Sequence, residues 1–385
     1  MMLSSILNVE FNPHKYLEHW DKIQALMHGK DIYPVTLELE ISSTCEHRCQ
    51  WCIVPPGAHT NVQMSVPIAQ KIIREAKLLG IKGIVFKGWG DCTQHPEFDR
   101  ILQIAGSLEF EVGVVTHGGK LGNQKILNAL VRDCAYVRIT IDGPTPESRQ
   151  ASHGVEDFAE VISGVEKLLA LRGSKRHPVI GASFCLDYAG RGLATECIQL
   201  GEKLGLDYVL IRPPYGEEIG YTLPYTPEEA VVLRKELRAA AESYSGKMPV
   251  FVVNWIGDKE LETYNPERRV REMARGLLGL PRFKYNGIEH VTRQCQAPPL
   301  FMGIAADGDV YGCPCLKGLR EFSFGRINYD EGLSLRVVSE SEQRDKRLER
   351  MRKAECLNHC THPFAKINEI IEYLSLPEKY HSSFI

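Results

Sequence analysis

VTLELEISSTCEHRCQWC, residues 35–52, reads as a short apolar strand, Val35–Ile41, running into three cysteines. Cys45, Cys49 and Cys52 follow the spacing C-x3-C-x2-C within eight residues. Three thiolates this close can wrap one corner of a cubic iron–sulfur cluster, and they leave one iron without a protein ligand. Clusters that only carry electrons normally have four cysteines, so an open iron implies that something else must coordinate there. A zinc staple is the competing reading, but structural zinc prefers four ligands set out as C-x2-4-C pairs. His47 could serve as a fourth ligand only by straining the loop that contains it.

Beyond this stretch, short apolar runs alternate with segments of helical period up to about residue 214, the pattern of repeated βα units and a parallel sheet. The expected strands are Val35–Ile41, Gly83–Lys87, Glu111–Thr116, Tyr136–Asp142, Val179–Asp187 and Tyr208–Arg212. Ser65 is placed to cap a helix carrying Ile68, Ile72, Ala76 and Leu79 on one face, closed by Gly80. Phe158, Val161, Ile162, Val165, Leu168 and Leu169 form a second such stripe, ending at Gly173. Six βα units are too few for a full eight-stranded barrel. The fold class expected is α/β: a partial, open (β/α)6 TIM-like barrel with a small C-terminal iron–sulfur domain.

Residues 1–34 are expected to be an N-terminal extension and 35–220 the barrel core. Thr226-Pro227-Glu228-Glu229 has the form of a capping box and opens a helix through Ser243, inside a helical and irregular connection over 221–290. The segment 291–385 gathers the late cysteines into a second module. A chain of 385 residues has room for this, since single cores stop growing near ~250–300 residues.

Composition narrows the function classes. A net charge of -3 gives no sign of a nucleic-acid partner. No apolar run approaches the ~18–20 residues of a membrane span, and residues 1–10 lack a signal-peptide pattern, so a cytoplasmic protein is expected. Twelve cysteines in a reducing compartment point to metal binding or redox chemistry rather than disulfides. They cluster early, at 45–52, and late, at Cys295, Cys313, Cys315, Cys356 and Cys360. Cys134, Cys185 and Cys197 lie on apolar faces and are expected in the core, while Cys92 sits near the strand ends.

The triad and its context resemble the radical S-adenosylmethionine superfamily over about residues 35–214. In that family the methionine amino and carboxylate groups chelate the open iron. The resemblance implies that Cys45, Cys49 and Cys52 hold a [4Fe–4S] cluster and that Trp51 lies near the adenine. Lys87-Gly88-Trp89-Gly90-Asp91 resembles the family's glycine-rich motif after the second strand, with Trp89 replacing a small residue and Asp91 where glutamate is commoner. Gly88, Gly90 and Asp91 are thereby expected at the methionine amino group, the glycines because backbone must come close to the ligand. Asp142 and Arg212, at the carboxyl edges of the fourth and sixth strands, match positions that touch the ribose and the methionine carboxylate; an arginine fork suits a carboxylate. His117 and His153 also fall in strand-end loops, where turn or packing roles are expected.

Cys295, Gly308 and Cys313, with Cys356 and Cys360 behind them, resemble the twitch/SPASM extensions that hold auxiliary clusters. By that match Cys295, Cys313, Cys356 and Cys360 bind one auxiliary [4Fe–4S] cluster, since a full two-cluster domain needs about seven cysteines. Cys315 is spare: an alternative ligand, an inert packed thiol, or a hydrogen-atom donor of the kind used by radical epimerases of the superfamily.

The resemblance implies reductive cleavage of S-adenosylmethionine to a 5′-deoxyadenosyl radical, with a flavodoxin- or ferredoxin-like reductant. Two substrate classes fit. With only 34 residues before the first strand, a leader-binding domain is not expected, which favours a small polar molecule: a carbohydrate, aminocyclitol or nucleoside, dehydrogenated or epimerised in natural-product or glycan biosynthesis. The alternative is a peptide-modifying maturase. A non-catalytic zinc-stapled or electron-transfer protein is the reading outside the enzyme class.

Overall fold

The computed structural model describes residues 15, 18–52, 54, 60–214, 226–252, 283–285, 288–290, 295, 298–352 and 371. After helix α1 (Trp20–Met27), strands and helices alternate: β1 (Thr36–Leu39), α2 (Val66–Leu78), β2 (Gly83–Phe86), α3 (Phe98–Ser107), β3 (Glu111–Thr116), α4 (Gln124–Asp133) and β4 (Tyr136–Thr140). Two helices, α5 (Pro146–His153) and α6 (Phe158–Arg172), precede β5 (Val179–Cys185); α7 (Ala194–Leu204), β6 (Tyr208–Arg212), α8 (Pro227–Ser243) and β7 (Val250–Val252) follow. The later part holds the hairpin β8 (Phe283–Tyr285) and β9 (Ile288–His290), then β10 (Phe301–Ile304), β11 (Asp309–Tyr311), β12 (Ser323–Arg326), α9 (Leu335–Ser339) and α10 (Glu342–Arg352).

All six expected strands form, shortened at their ends by up to three residues. They lie in one ten-stranded sheet of order β12-β11-β10-β1-β2-β3-β4-β5-β6-β7. Every pair from β10 through β1 to β7 is parallel, while β11 and β12 return antiparallel. The sheet is an open partial barrel with β12 and β7 as its edges. Two features go beyond the expected six strands. The three-residue β7 adds a parallel neighbour to β6, and the late segment enters the same sheet through β10, where Phe301 pairs with Thr36.

Side chains alternate across each strand, and parallel partners in register share a face. One face, with Leu37, Ile84, Val112, Val137, Ile180 and Val209, packs under the helices in a continuous apolar core. The other face lines the concave side and is polar, bearing Glu38, Arg138 and Arg212. Parallel strands covered on both faces usually read as unbroken apolar runs. The charges on this inner face therefore mark it as a lined cavity wall rather than core.

Helix ends follow local chemistry. Thr226 closes its capping box, taking Glu229 N–H at 3.2 Å while the Glu229 carboxylate takes Thr226 N–H at 2.7 Å. Ser65 holds the N-cap position of α2 but its hydroxyl makes no cap bond. The buried face of α2 is Val66, Ala69, Ile72, Ile73 and Ala76; of the expected stripe Ile72, Ala76 and Leu79 are buried, and Ile68 is 41% exposed. The α6 stripe packs as expected, with Val161, Val165 and Leu168 fully buried.

Candidate active site

The three-cysteine loop leaves the carboxyl end of β1 and is pinned to the end of α5. Arg48 N–H donates to His153 O (2.8 Å) and Gln50 N–H to Ser152 O (2.9 Å), and a turn joins Cys52 N to Cys49 O (3.2 Å). Cys45, Cys49 and Cys52 are all half-buried. Burial pushes the Cys49 thiol well up, and neighbouring Asp142, Cys52 and Cys45 push it further. Burial and Cys45 likewise raise Cys52. Cys49 and Cys52, held as thiols mainly by burial, become stable as thiolates when a cationic metal centre lies beside them. This donor set fits an iron–sulfur cluster. Trp51, inside the loop, has its indole Nε1 buried with no hydrogen-bond partner among the described residues, a donor left for a ligand.

Behind the loop stand three histidines: His117 and His153, expected in turn or packing roles, and His47, whose place in the sequence offered only a strained fourth ligand. His47 and His117 stack at 3.7 Å between ring centroids, and His47 Nδ1 lies 2.8 Å from His153 Nδ1. His153 Nδ1 is also 3.4 Å from Cys49 Sγ. Ligand-type atoms of Cys45, Glu46 and His117 lie within 4.8 Å of one another, as do those of His47, Cys49 and His153. Each ring is backed by a carboxylate: Asp157 on His47 (3.2 Å), Asp91 and Glu46 on His117 (3.4 and 3.5 Å), and Asp142 on His153 (3.4 Å). Burial alone would lower His117, but Asp91, then Cys45 and Glu46, lift it to about 10. Burial wins at His47, which is held below the usual histidine range.

Arg149 is the anchor beneath this group. It is completely buried, donates to both oxygens of Asp157 (2.7 and 2.9 Å), and reaches the carbonyls of Thr140 (3.1 Å), Ile141 (3.0 Å) and His117 (2.9 Å). It thus ties the end of β4, the end of β3 and the Asp157–His47 pair together.

The expected ligand residues gather around the same carboxyl edge. Both Asp91 oxygens are engaged within the fold. One accepts Thr93 N–H (2.8 Å) and the Thr93 hydroxyl, the other the Thr116 hydroxyl (2.7 Å) and His117 N–H (2.8 Å). Burial opposes its ionisation, and His117 with these donors outweighs it, so the carboxyl is held below its ordinary range. Asp91 therefore fastens the glycine-rich loop to β3. Asp142, in the left-handed region at φ 52°, accepts Cys185 N–H at 2.6 Å. Burial would raise it, but His153 and Arg212 hold it low. Cys185 and Arg212 are register partners on the inner face, and Cys185 is fully buried, as expected of a core thiol. Cys134 and Cys197 are buried in the core as expected, and Cys92 joins them.

The two motif glycines are also required by packing within the fold. A Cβ on Gly90 would lie 2.4–2.6 Å from backbone atoms of Ser43, Ser42 and Thr44, and one on Gly88 would lie 2.3 Å from Glu40 Cγ. The close approach is to the strand and loop leading into Cys45. Glu40, which no motif singles out, braces this loop: its Oε1 accepts the N–H of Trp89 (3.1 Å) and of Gly90 (3.4 Å).

Among the late cysteines, Cys295 and Cys313 both pack against one small apolar group of Ile23, Leu26, Val35, Leu300 and Ile371. Cys315 falls in the single turn Pro314–Leu316; its side chain, and Cys356 and Cys360, lie outside the described residues.

Residues 39–180 match the family described as the Radical SAM superfamily, a family that uses a [4Fe–4S] cluster and S-adenosylmethionine. By sequence the chain is 27% identical over 148 residues to the Mycofactocin maturase MftC of Mycobacterium ulcerans (strain Agy99), covering 38% of this chain and 40% of that protein. It is 27% identical over 203 residues to a Tungsten-containing aldehyde ferredoxin oxidoreductase cofactor-modifying protein of Pyrococcus furiosus, covering 50% and 53%. The matches thus span about half, or less, of these curated relatives. Among solved structures, Streptococcus suis SuiB bound to precursor peptide SuiA superposes with a TM-score of 0.62 at 14% identity, covering 92% of this chain and 77% of that one. Native anSMEcpe with bound AdoMet gives 0.57 at 15%, covering 83% and 84%. These similarities establish the fold. Among the described residues no helix is long and apolar enough to cross a membrane.

Proposed function

We propose that this chain is a radical SAM maturase that modifies a peptide. The observation carrying the radical chemistry is the half-buried thiol triad of Cys45, Cys49 and Cys52 at the carboxyl edge of β1, beside the unsatisfied Trp51 indole. When bound there, a [4Fe–4S] cluster supplies the electron that cleaves S-adenosylmethionine to methionine and a 5′-deoxyadenosyl radical. The protein's work is positioning. Arg149, Asp157 and the three histidines hold the cysteine loop, and Asp91 and Glu40 hold the glycine-rich loop. Trp51 offers its indole N–H to the nucleoside side, and Arg212 suits the methionine carboxylate. The polar inner face of the barrel takes the substrate and keeps bulk water from it.

A peptide is preferred over a sugar because the sequence relatives include a maturase, and because one chain of the same fold was crystallised with a precursor peptide. The joint packing of Cys295 and Cys313 supports one auxiliary [4Fe–4S] cluster in the 291–385 segment, with Cys356 and Cys360 completing its ligands. The test is anaerobic release of 5′-deoxyadenosine, followed by mass spectrometry with reductant and S-adenosylmethionine, adding precursor-type peptides and sugars separately. Stimulation by peptide supports the proposal; stimulation by a sugar alone replaces the substrate class. Absence of 5′-deoxyadenosine from iron-loaded protein refutes the chemistry.

A further inference from the structure

Glu38 on β1 and Glu40 one residue past its end stand two residues apart, so both point to the inner face, and both carboxylates are buried. Lys317 reaches them from the turn that follows Cys313. Its buried Nζ lies 2.9 Å from Glu38 Oε1 and 3.2 Å from Glu40 Oε2. The remaining Glu38 oxygen pairs with Lys87 Nζ at 2.7 Å. The remaining Glu40 oxygen is the one that receives the Trp89 and Gly90 N–H groups. One carboxylate thus joins Lys317 to the glycine-rich loop. The neighbouring residue repeats the contact: a Cβ on Gly318, at φ +82°, would fall 2.0 Å from the Trp89 ring. Two segments more than 220 residues apart in sequence are interlocked through Glu40 and Trp89.

Buried ion clusters are poor sources of net stability, and well-packed apolar groups often serve as well or better. Their attested use is to fix one geometry, and here the geometry fixed is that of the Lys87–Asp91 loop. We propose that Lys317 is a positioning residue that couples the Cys313 turn to the glycine-rich loop, so that S-adenosylmethionine affinity depends on an ammonium outside the cofactor site. Without it, Glu40 loses its ion pair and stands buried beside Glu38, which keeps Lys87. Glu40, no longer held in place by the ammonium, turns from the loop and ceases to be a strong acceptor for Trp89 and Gly90. The link to S-adenosylmethionine rests on the function proposed above; the link between the two segments does not.

The experiment compares full-length, anaerobically reconstituted wild type with Lys317→Met, Lys317→Arg and Glu40→Gln. Amide exchange over residues 87–91 reads the latch whether or not the protein cleaves S-adenosylmethionine. KM for S-adenosylmethionine in 5′-deoxyadenosine release, and the cofactor-induced change in the reduced-cluster EPR spectrum, read its consequence. Lys317→Met is expected to speed exchange at Trp89 and Gly90 and to raise KM at least about fivefold, the low end of ordinary coupling between sites, with kcat nearly unchanged. Lys317→Arg should restore most of both. If Lys317→Met does not fold, Glu40→Gln carries the test, since it keeps the size and an acceptor while losing the charge. Wild-type exchange in a folded, iron-loaded Lys317→Met or Glu40→Gln overturns the latch. Faster exchange with unchanged KM overturns the coupling to S-adenosylmethionine. Wild type that releases no 5′-deoxyadenosine refutes the enzyme reading, and exchange still decides the latch.

Discussion

Replacing Arg149 by methionine removes five hydrogen bonds at one stroke while leaving a side chain of similar length. Two of those bonds run to Asp157, at 2.7 and 2.9 Å, and three to backbone carbonyls between 2.9 and 3.1 Å. Each buried carbonyl left without a donor costs about 1–3 kcal/mol, and the losses overlap because the groups share one site. Asp157 is one-fifth exposed and recovers part of its solvation. Breaking a buried pair from one side costs ~3–5 kcal/mol, and that range is expected here. With a urea m-value of about 3 kcal/mol/M, the unfolding midpoint should fall by roughly 1–2 M. Iron retained after reconstitution should fall too, because Asp157 orients His47 within the cysteine loop. Arg149→Lys, with one point of donation in place of a fork, should lie between. A methionine variant within about 1 kcal/mol of wild type and fully iron-loaded would refute the claim that Arg149 anchors the loop.

Gly90→Ala must shift a loop by close to an ångström against the backbone of Ser42–Thr44, so it should lose about 1–3 kcal/mol and bind S-adenosylmethionine weakly. Gly122→Ala, which meets nothing within 4 Å, is the control, and calorimetry on the pair checks both. Replacing Cys45, Cys49 or Cys52 by alanine should abolish binding of the cofactor-cleaving cluster, read from iron content and absorbance. Acid sensitivity follows from Glu38: burial would raise its pKa, but Lys317 and Lys87 pull it to about 2. Its folded value lies below its unfolded one, so its contribution to stability is full above about pH 4.5 and is lost as the pH falls toward 2. Glu38→Gln should flatten the pH dependence of the denaturation midpoint across that window.

The strands β1 to β6 were legible because each is a compact β-branched run bounded by turn residues, and the α8 cap because its hydroxyl and carboxylate are local partners. The β7 strand was not, since three residues after Pro249 carry too little pattern. Nor was β10 as the partner of β1, because a pairing that distant leaves no local mark. The cysteine triad is readable from spacing alone. Asp91 and Asp142 were found by position, but their inward bonding depends on Thr93, Thr116 and Cys185, which only the folded chain brings near. Glu38 and Glu40 did carry a signal: they alternate with Leu37, Leu39 and Ile41, which puts two charges on one face of a strand covered on both sides. Lys317, their counter-charge, has no such signature.

The parallel pairing of β1 with β10 also bears on how the chain folds as it is made. Thr36 waits for Phe301, about 265 residues further along, before that side of β1 is hydrogen-bonded. At ~5–20 residues per second, the edge stays open for roughly 13–53 s. An unpaired apolar edge held that long invites pairing with another nascent chain. Glu40 then acts as a gatekeeper: Lys87 is at hand early for Glu38, but until Lys317 arrives the bare Glu40 carboxylate at the end of β1 repels any second copy that would add to it.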